Sequence, residues 1–175
     1  MEEAKDIRRA RLRFAASFVA VGGVLLAAYS FPYAEHGLRE DGFAAFLALY
    51  ARLAGGVLGL LDPTVRVVGA EIAGRASLIV AKNCDAMDVN ILFAAAVVAY
   101  PAPWKRRAVG LAAGVALLVA VNVLRIVSLY FVQVHAPASF ELVHAEVWPL
   151  ALVGLAVGAF LAWSRWAGPP LAEGA

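Results

Sequence analysis

Apolar runs of bilayer-crossing length dominate the chain, and that property decides most of what it can fold into. Inside lipid no water is at hand, so every backbone N–H and C=O must find its partner within the protein. A chain of such runs is therefore committed to helices. A crossing needs about 20 predominantly apolar residues, fewer where the ends are polar. Four segments meet that need: Phe14–Phe31, stopped by Pro32; Asp85–Tyr100, ended by Pro101 and Pro103; Ala108–Val134; and Val147–Trp166. Hydrophobic residues are 63% of the chain, charged residues only 16%, and the mean hydropathy is +0.78, well away from a soluble globular domain. We expect a single all-α integral membrane domain over residues 1–175. The first run ends in Ala-Tyr-Ser-Phe-Pro, without a small-x-small cleavage site, and reads as an uncleaved anchor.

The net charge of +2 matters less than its placement. Arg8, Arg9, Arg11 and Arg13 precede the first run, and Lys105, Arg106 and Arg107 precede the third. Basic clusters beside spans mark cytoplasmic flanks, so they speak against a nucleic-acid patch. The first run then leaves the chain outside at Pro32, and Asp85–Tyr100 must return it. That parity leaves no further full crossing between them. Phe43–Leu61, apolar but with Arg52 in its middle, is accordingly expected to lie along the outer interface or re-enter from it. Pro63–Lys82 carries β-branched runs at Val65–Val68, Glu71-Ile72 and Leu78–Val80, with a turn candidate at Ala73-Gly74. It reads as a short extracytoplasmic β-hairpin over 64–82 that leans on the helices. No glycine-rich phosphate loop, CxxC pair or HExxH is present, so neither a phosphate cradle, a thiol zinc site nor any cofactor is expected.

Against this apolar background the polar residues stand out. Cys84 is the only cysteine, so it forms no internal disulfide, and it lies in the tract Asn83-Cys84-Asp85-Ala86-Met87-Asp88-Val89-Asn90. Arg125 falls about 27 Å beyond Arg107 at roughly 1.5 Å per helical residue, close to the full thickness of the hydrocarbon core. It therefore belongs at the outer end of its span, with Asn122 one turn below and Ser128 one turn above on a similar face. Cys84 opens the second span, and His144 opens the fourth after the loop His135–Val143. Three scarce groups on three spans thus come out at one depth on the outer side.

Each also has a plain reading: an inert buried thiol, an arginine snorkelling to headgroups, a solvated interfacial histidine. Spacing does not separate His144 from His135, and His36 in the first outer loop has no evident partner. Trp104, Trp148, Trp163 and Trp166 suit an interfacial belt. Asp85 and Asp88 are placed to cap a helix start or tune the thiol, although carboxylates alone oppose thiolate formation. Taken together, a Cys/His/Arg set supports acyl transfer. A thiolate attacks a peptide carbonyl, histidine serves as general acid and base, and arginine stabilises the oxyanion. A helix N-terminus at Cys84 would favour the thiolate, and arginine keeps its charge beside lipid where lysine can lose it.

At these residues the chain resembles the exosortase/archaeosortase family. The likeness rests on Asn83-Cys84-Asp85-Ala86 after the hairpin, Asn122-Val123-Leu124-Arg125-Ile126 in the third span, and His144 before the fourth. It covers Thr64–Trp166, and the short chain suggests the compact members, of the exosortase H type. The resemblance implies a cysteine transpeptidase with Cys84 as nucleophile and Arg125 and His144 as partners. Its substrates would be exported, membrane-anchored proteins, cut at C-terminal sorting signals on the outer face of the cytoplasmic membrane and passed to an envelope acceptor. Many members carry glycine two residues after the cysteine, where this chain has Ala86. Two other classes fit the composition: an assembly subunit using Asn122 and Arg125 as interhelical glue, and a small transporter. A transporter would place its polar groups near mid-membrane, and an assembly subunit would not need all three to converge.

Overall fold

A computed structural model describes residues 2–31 and 40–168. In chain order the elements are α1 (Glu2–Ser30), α2 (Glu40–Leu61), strands β1 (Arg66–Val68), β2 (Glu71–Ala73) and β3 (Ser77–Ile79), and a 3-10 turn at Lys82–Cys84. Then come α3 (Met87–Ala99), α4 (Trp104–His135), a 3-10 turn at Pro137–Ser139, α5 (Phe140–Leu142), a π-helical turn at Val143–Val147, and α6 (Trp148–Ala167). Among the described residues, four helical stretches are long and apolar enough to cross a membrane: Lys5–Ser30, Phe43–Leu61, Trp104–His135 and Pro137–Ala167.

Three features differ from the sequence expectation. The segment read as the span Asp85–Tyr100 is realised as α3, only 13 residues long. Its rise of about 20 Å falls short of a core of roughly 30 Å. Ala86, at φ 52°, cannot join the helix at one end, and Tyr100, preceding Pro101, is disfavoured in it at the other. The segment read as the loop His135–Val143 is almost wholly helical. Only Ala136, at φ −145° and ψ 59°, breaks the chain, and Pro137 starts the next helical run where its missing N–H costs nothing. The segment read as a hairpin is a three-stranded antiparallel sheet in the order β1-β2-β3. Its first turn falls at Gly69, whose φ of 59° suits glycine; the Ala73-Gly74 turn candidate is the second.

The described residues gather into two compact units, one of 2–31, 87–117 and 154–168, the other of 40–86 and 118–153. In the first, α1 packs on α3, with Gly22 close against Ala95. Phe93 of α3 occupies the space a side chain at Gly114 would need, and Trp163 does the same at Gly110. Trp163 also donates to Arg106 O at 3.0 Å, and Tyr100 to Gly168 O at 3.0 Å. Trp163 is therefore a core residue, whereas Trp104 and Trp166 are exposed as belt residues would be.

The second unit builds its core from α2, the sheet and the C-terminal half of α4. Tyr50, Ala51, Ala54 and Leu58 form the buried stripe of α2 at helical spacing, while Leu49, Leu53, Val57 and Leu60 on the other side stay exposed. A helix apolar on every side suits lipid or an interior, not water. Val67, Ile72 and Leu78 pair across the sheet in one row, and the sheet presents that row inward. Val67 fills the space beside Gly55, so only glycine there lets β1 approach α2. On α4, Leu118, Asn122, Arg125, Ile126 and Leu129 are buried along one stripe.

Candidate active site

Cys84 ends the 3-10 turn that follows directly from β3, with its N–H on Ala81 O at 2.8 Å. It does not stand in the first turn of α3: Asp85, in helical conformation, and Ala86, in the left-handed region, intervene. The helix-dipole support expected from sequence therefore does not apply, because that effect fades within one turn. What holds the cysteine is α4. Asn122, fully buried, donates from Nδ2 to Cys84 O at 2.9 Å. Since a carbonyl only accepts, this bond fixes which end of the amide faces the turn.

His144 arrives on the π-helical turn Val143–Val147. Such turns add a residue to a helix and re-aim its side chains, and they recur at functional positions. Phe140, one turn earlier, stacks on the imidazole at 5.5 Å between centroids with planes 21° apart. Nε2 of His144 then lies 3.5 Å from Cys84 Sγ. That contact serves a thiol donating to neutral imidazole or an imidazolium donating to a thiolate. His135, by contrast, is exposed at the end of α4 and bonds Phe131 O within its own helix at 3.0 Å. Geometry thus separates the two histidines that spacing left equal. His36 lies outside the described residues.

Arg125 is 3% exposed, and its Nη2 reaches His144 O at 3.4 Å. Its Nε is buried without a hydrogen-bond partner. Cys84 and Asp85 both lie within electrostatic range of the guanidinium. A second link joins the same two helical segments: Trp148 donates to Ser128 Oγ at 2.9 Å, and Ser128 donates to Arg125 O at 2.8 Å. Cys84, His144, Arg125 and Asn122 are thereby brought together. Asp85 is buried beside them, at 2% exposure. Asp88 is not gathered in: it is exposed in the first turn of α3, in the other unit.

Two further groups carried no sequence signal beyond being polar near apolar runs. Tyr50 is buried in α2, T-shaped on Phe46 at 5.1 Å, with its phenol against the Asn122 amide and within range of Asp85. Further along α4, Tyr130 accepts from Arg75 N at 2.9 Å and donates to Asp62 Oδ2 at 3.0 Å. Thr64 donates its hydroxyl to Asp62 Oδ1 at 2.6 Å and its N–H to the same oxygen at 3.0 Å. Those Thr64 bonds, hydroxyl first, hold the Asp62 carboxyl below the usual carboxylate range. This buried network pins the sheet to α4, and the sheet delivers Cys84. Among the described residues no three His, Cys, Asp or Glu side chains converge as a metal site.

Set against known proteins, the chain matches no family model, no curated protein and no solved structure.

Proposed function

We propose that this chain is a multi-pass cysteine transpeptidase of the cytoplasmic membrane, with its site open to the outer side. It cleaves C-terminal sorting signals of exported, membrane-anchored proteins and passes the acyl group to an envelope acceptor. The observation that carries this reading is the 3.5 Å approach of Cys84 Sγ to His144 Nε2 beside a buried arginine with donors to spare. Nucleophile and base in contact, with a cation alongside, is the arrangement acyl transfer requires. Interhelical glue would use up its donors; Arg125 keeps Nε free and makes one long bond to His144 O.

The chemistry runs in two halves. Cys84 passes its proton to His144, and the thiolate adds to the substrate carbonyl carbon. Arg125 stabilises the negative oxygen that forms. As the tetrahedral species collapses, the C–N bond breaks, His144 gives its proton to the leaving amine, and a thioester remains on Cys84. The acceptor nucleophile loses a proton to His144 and attacks the thioester, and the thiol is restored. Asp85 is a supporting residue beside the thiol; Asp88 has no part in these steps.

The outward orientation rests on charge and on distance along α4. Asn122, which holds Cys84, stands about 22 Å from Arg107 at roughly 1.5 Å per residue. On this reading the chain from Asp85 to Pro103 returns to the basic end, with α3 and its flanking turns as a short crossing. α2 finds its partners at the Cys84 end: Asp62 at its close bonds Tyr130, Lys82 lies over the Phe43 ring at 5.8 Å, and Gly55 seats Val67. This favours α2 as an outer interfacial or re-entrant helix, with exposed Arg52 toward headgroups.

Cys84→Ser tests the reading. The side chains are close in volume, so folding and insertion stay intact, while a hydroxyl with the same base is a far weaker nucleophile. The expected result is full retention of uncleaved sorting-signal substrate at matched enzyme levels. Normal maturation in that strain would end the proposal.

A further inference from the structure

Asn122 makes a contact that the acyl-transfer chemistry does not itself use. Its Nδ2 donates to the backbone oxygen of the nucleophile at 2.9 Å inside the protein, where the asparagine is fully buried. Its other end, Oδ1, is buried with no hydrogen-bond partner. A polar atom in that state costs about 1–3 kcal/mol. A leucine at 122 would continue the apolar stripe of Leu118, Ile126 and Leu129 without that cost. Against that cost stands the Nδ2 bond, which joins α4 to the Cys84 turn, with the Tyr50 phenol also against the amide. Cys84 needs such a hold: it sits on a three-residue 3-10 turn, and no side chain caps that turn at its start.

We propose that Asn122 is a positioning residue, anchoring the Cys84 carbonyl to α4 so that the thiol stays against His144. The inference rests on the transpeptidase reading for its purpose. One helix then carries both the hold on the nucleophile, at Asn122, and, one turn on, the cation beside it, at Arg125. Any shift of the Lys82–Cys84 turn would open the Cys84–His144 contact with neither side chain altered.

Cys84 is the only thiol in the chain, so its alkylation by iodoacetamide in the purified full-length protein reads this hold without any substrate. Asn122→Ala is expected to slow alkylation at neutral pH on the order of tenfold, as small displacements of reacting groups do. Asn122→Asp supplies the control a merely structural role would fail. An ionised carboxylate cannot donate to the Cys84 carbonyl; a protonated one is nearly isosteric with the amide and can. The groups facing it are Tyr50 from α2, Asp85 and Cys84 from the turn, Arg125 on its own helix and His144 from the π turn. Its rate relative to the native protein should therefore climb toward unity as pH falls, while the Asn122→Ala ratio shows no such recovery. Native alkylation rates in both variants would overturn the proposal. Loss in both without acid recovery of the aspartate would also overturn it, since that pattern means simple misfolding. Because no sorting signal enters this assay, its outcome is independent of whether Cys84→Ser blocks maturation.

Discussion

Ala86 is the sole non-glycine residue at positive φ among the described residues, at 52°. An L-residue there holds Cβ too close to its following carbonyl, at about 1–2 kcal/mol. It turns the chain out of the Cys84 turn and into α3. Ala86→Gly removes the clash but frees the unfolded chain, which returns about 0.4–1 kcal/mol. A net gain of roughly 0.5–1 kcal/mol is expected from these two terms, read as a higher melting temperature in detergent with Cys84 alkylation unchanged. Arg125→Lys tests the other side of the site. The native guanidinium contacts His144 O while keeping Nε free, and a lysine on its flexible stem offers no such planar fork. Maturation should fall at least tenfold, by the scale of losing one oxyanion donor, whereas an assembly role predicts a mild effect. The candidate set was legible because cysteine and histidine are scarce in the chain, because arginine is scarce inside its apolar runs, and because depth follows from helical rise. Spacing left His144 and His135 equal; in the fold His144 lies 3.5 Å from Cys84 Sγ, and His135 is exposed at the end of α4. Tyr50 was illegible, since a tyrosine in an apolar helix reads as one more aromatic. Asp88 differs from Asp85 in that it belongs to the first turn of α3 and is exposed, whereas Asp85 is buried beside the Cys84 turn.

At the level of elements, the sheet and the π turn are what the sequence pattern resolved least. Three β-branched runs with a single turn at Ala73-Gly74 fit a hairpin, and the third strand shows only once Gly69 and Gly74 are both read as turns. The π turn has no residue signature at all, yet it aims His144. The sheet in turn depends on Tyr130, whose hydroxyl bonds Arg75 N and Asp62 together. Gly74 must be glycine for this, as a Cβ there would come within 2.5 Å of that hydroxyl. Tyr130→Phe leaves Arg75 N–H and Asp62 short of a partner and should cost about 1–3 kcal/mol. Asp62 adds a pH signature. Its pKa is depressed, so it stabilises the fold above the ordinary carboxylate pKa near ~3.9 and loses that contribution as pH falls through the folded value. Melting followed by tryptophan fluorescence should show an acid limb that is flatter in Asp62→Asn than in the native chain. Equal limbs would mean that Asp62 is not ionised in the fold.

For the whole molecule, length and charge give two different counts of crossings. By length and composition Phe43–Leu61 qualifies as a span, and Met87–Ala99, at 13 residues, is too short. By charge, Arg8–Arg13 and Lys105–Arg107 both belong inside, which demands a return crossing after Cys84. The proposed topology follows the count by charge, with the residues after Cys84 making the return crossing. A crossing by α2 as well would put Cys84 on the inner side and pull it away from His144. The sheet is therefore expected outside, and Val68, 76% exposed on β1, is a better probe than Thr64, whose hydroxyl is committed to Asp62. In a Cys84→Ala background, Val68→Cys should react with a membrane-impermeant maleimide in intact cells. Trp104→Cys, at a position 73% exposed beside the basic cluster, should react only after permeabilisation. The reverse pattern would place the thiol–imidazole pair in the cytoplasm, where exported substrates do not reach it, and the transpeptidase reading would fall with the topology.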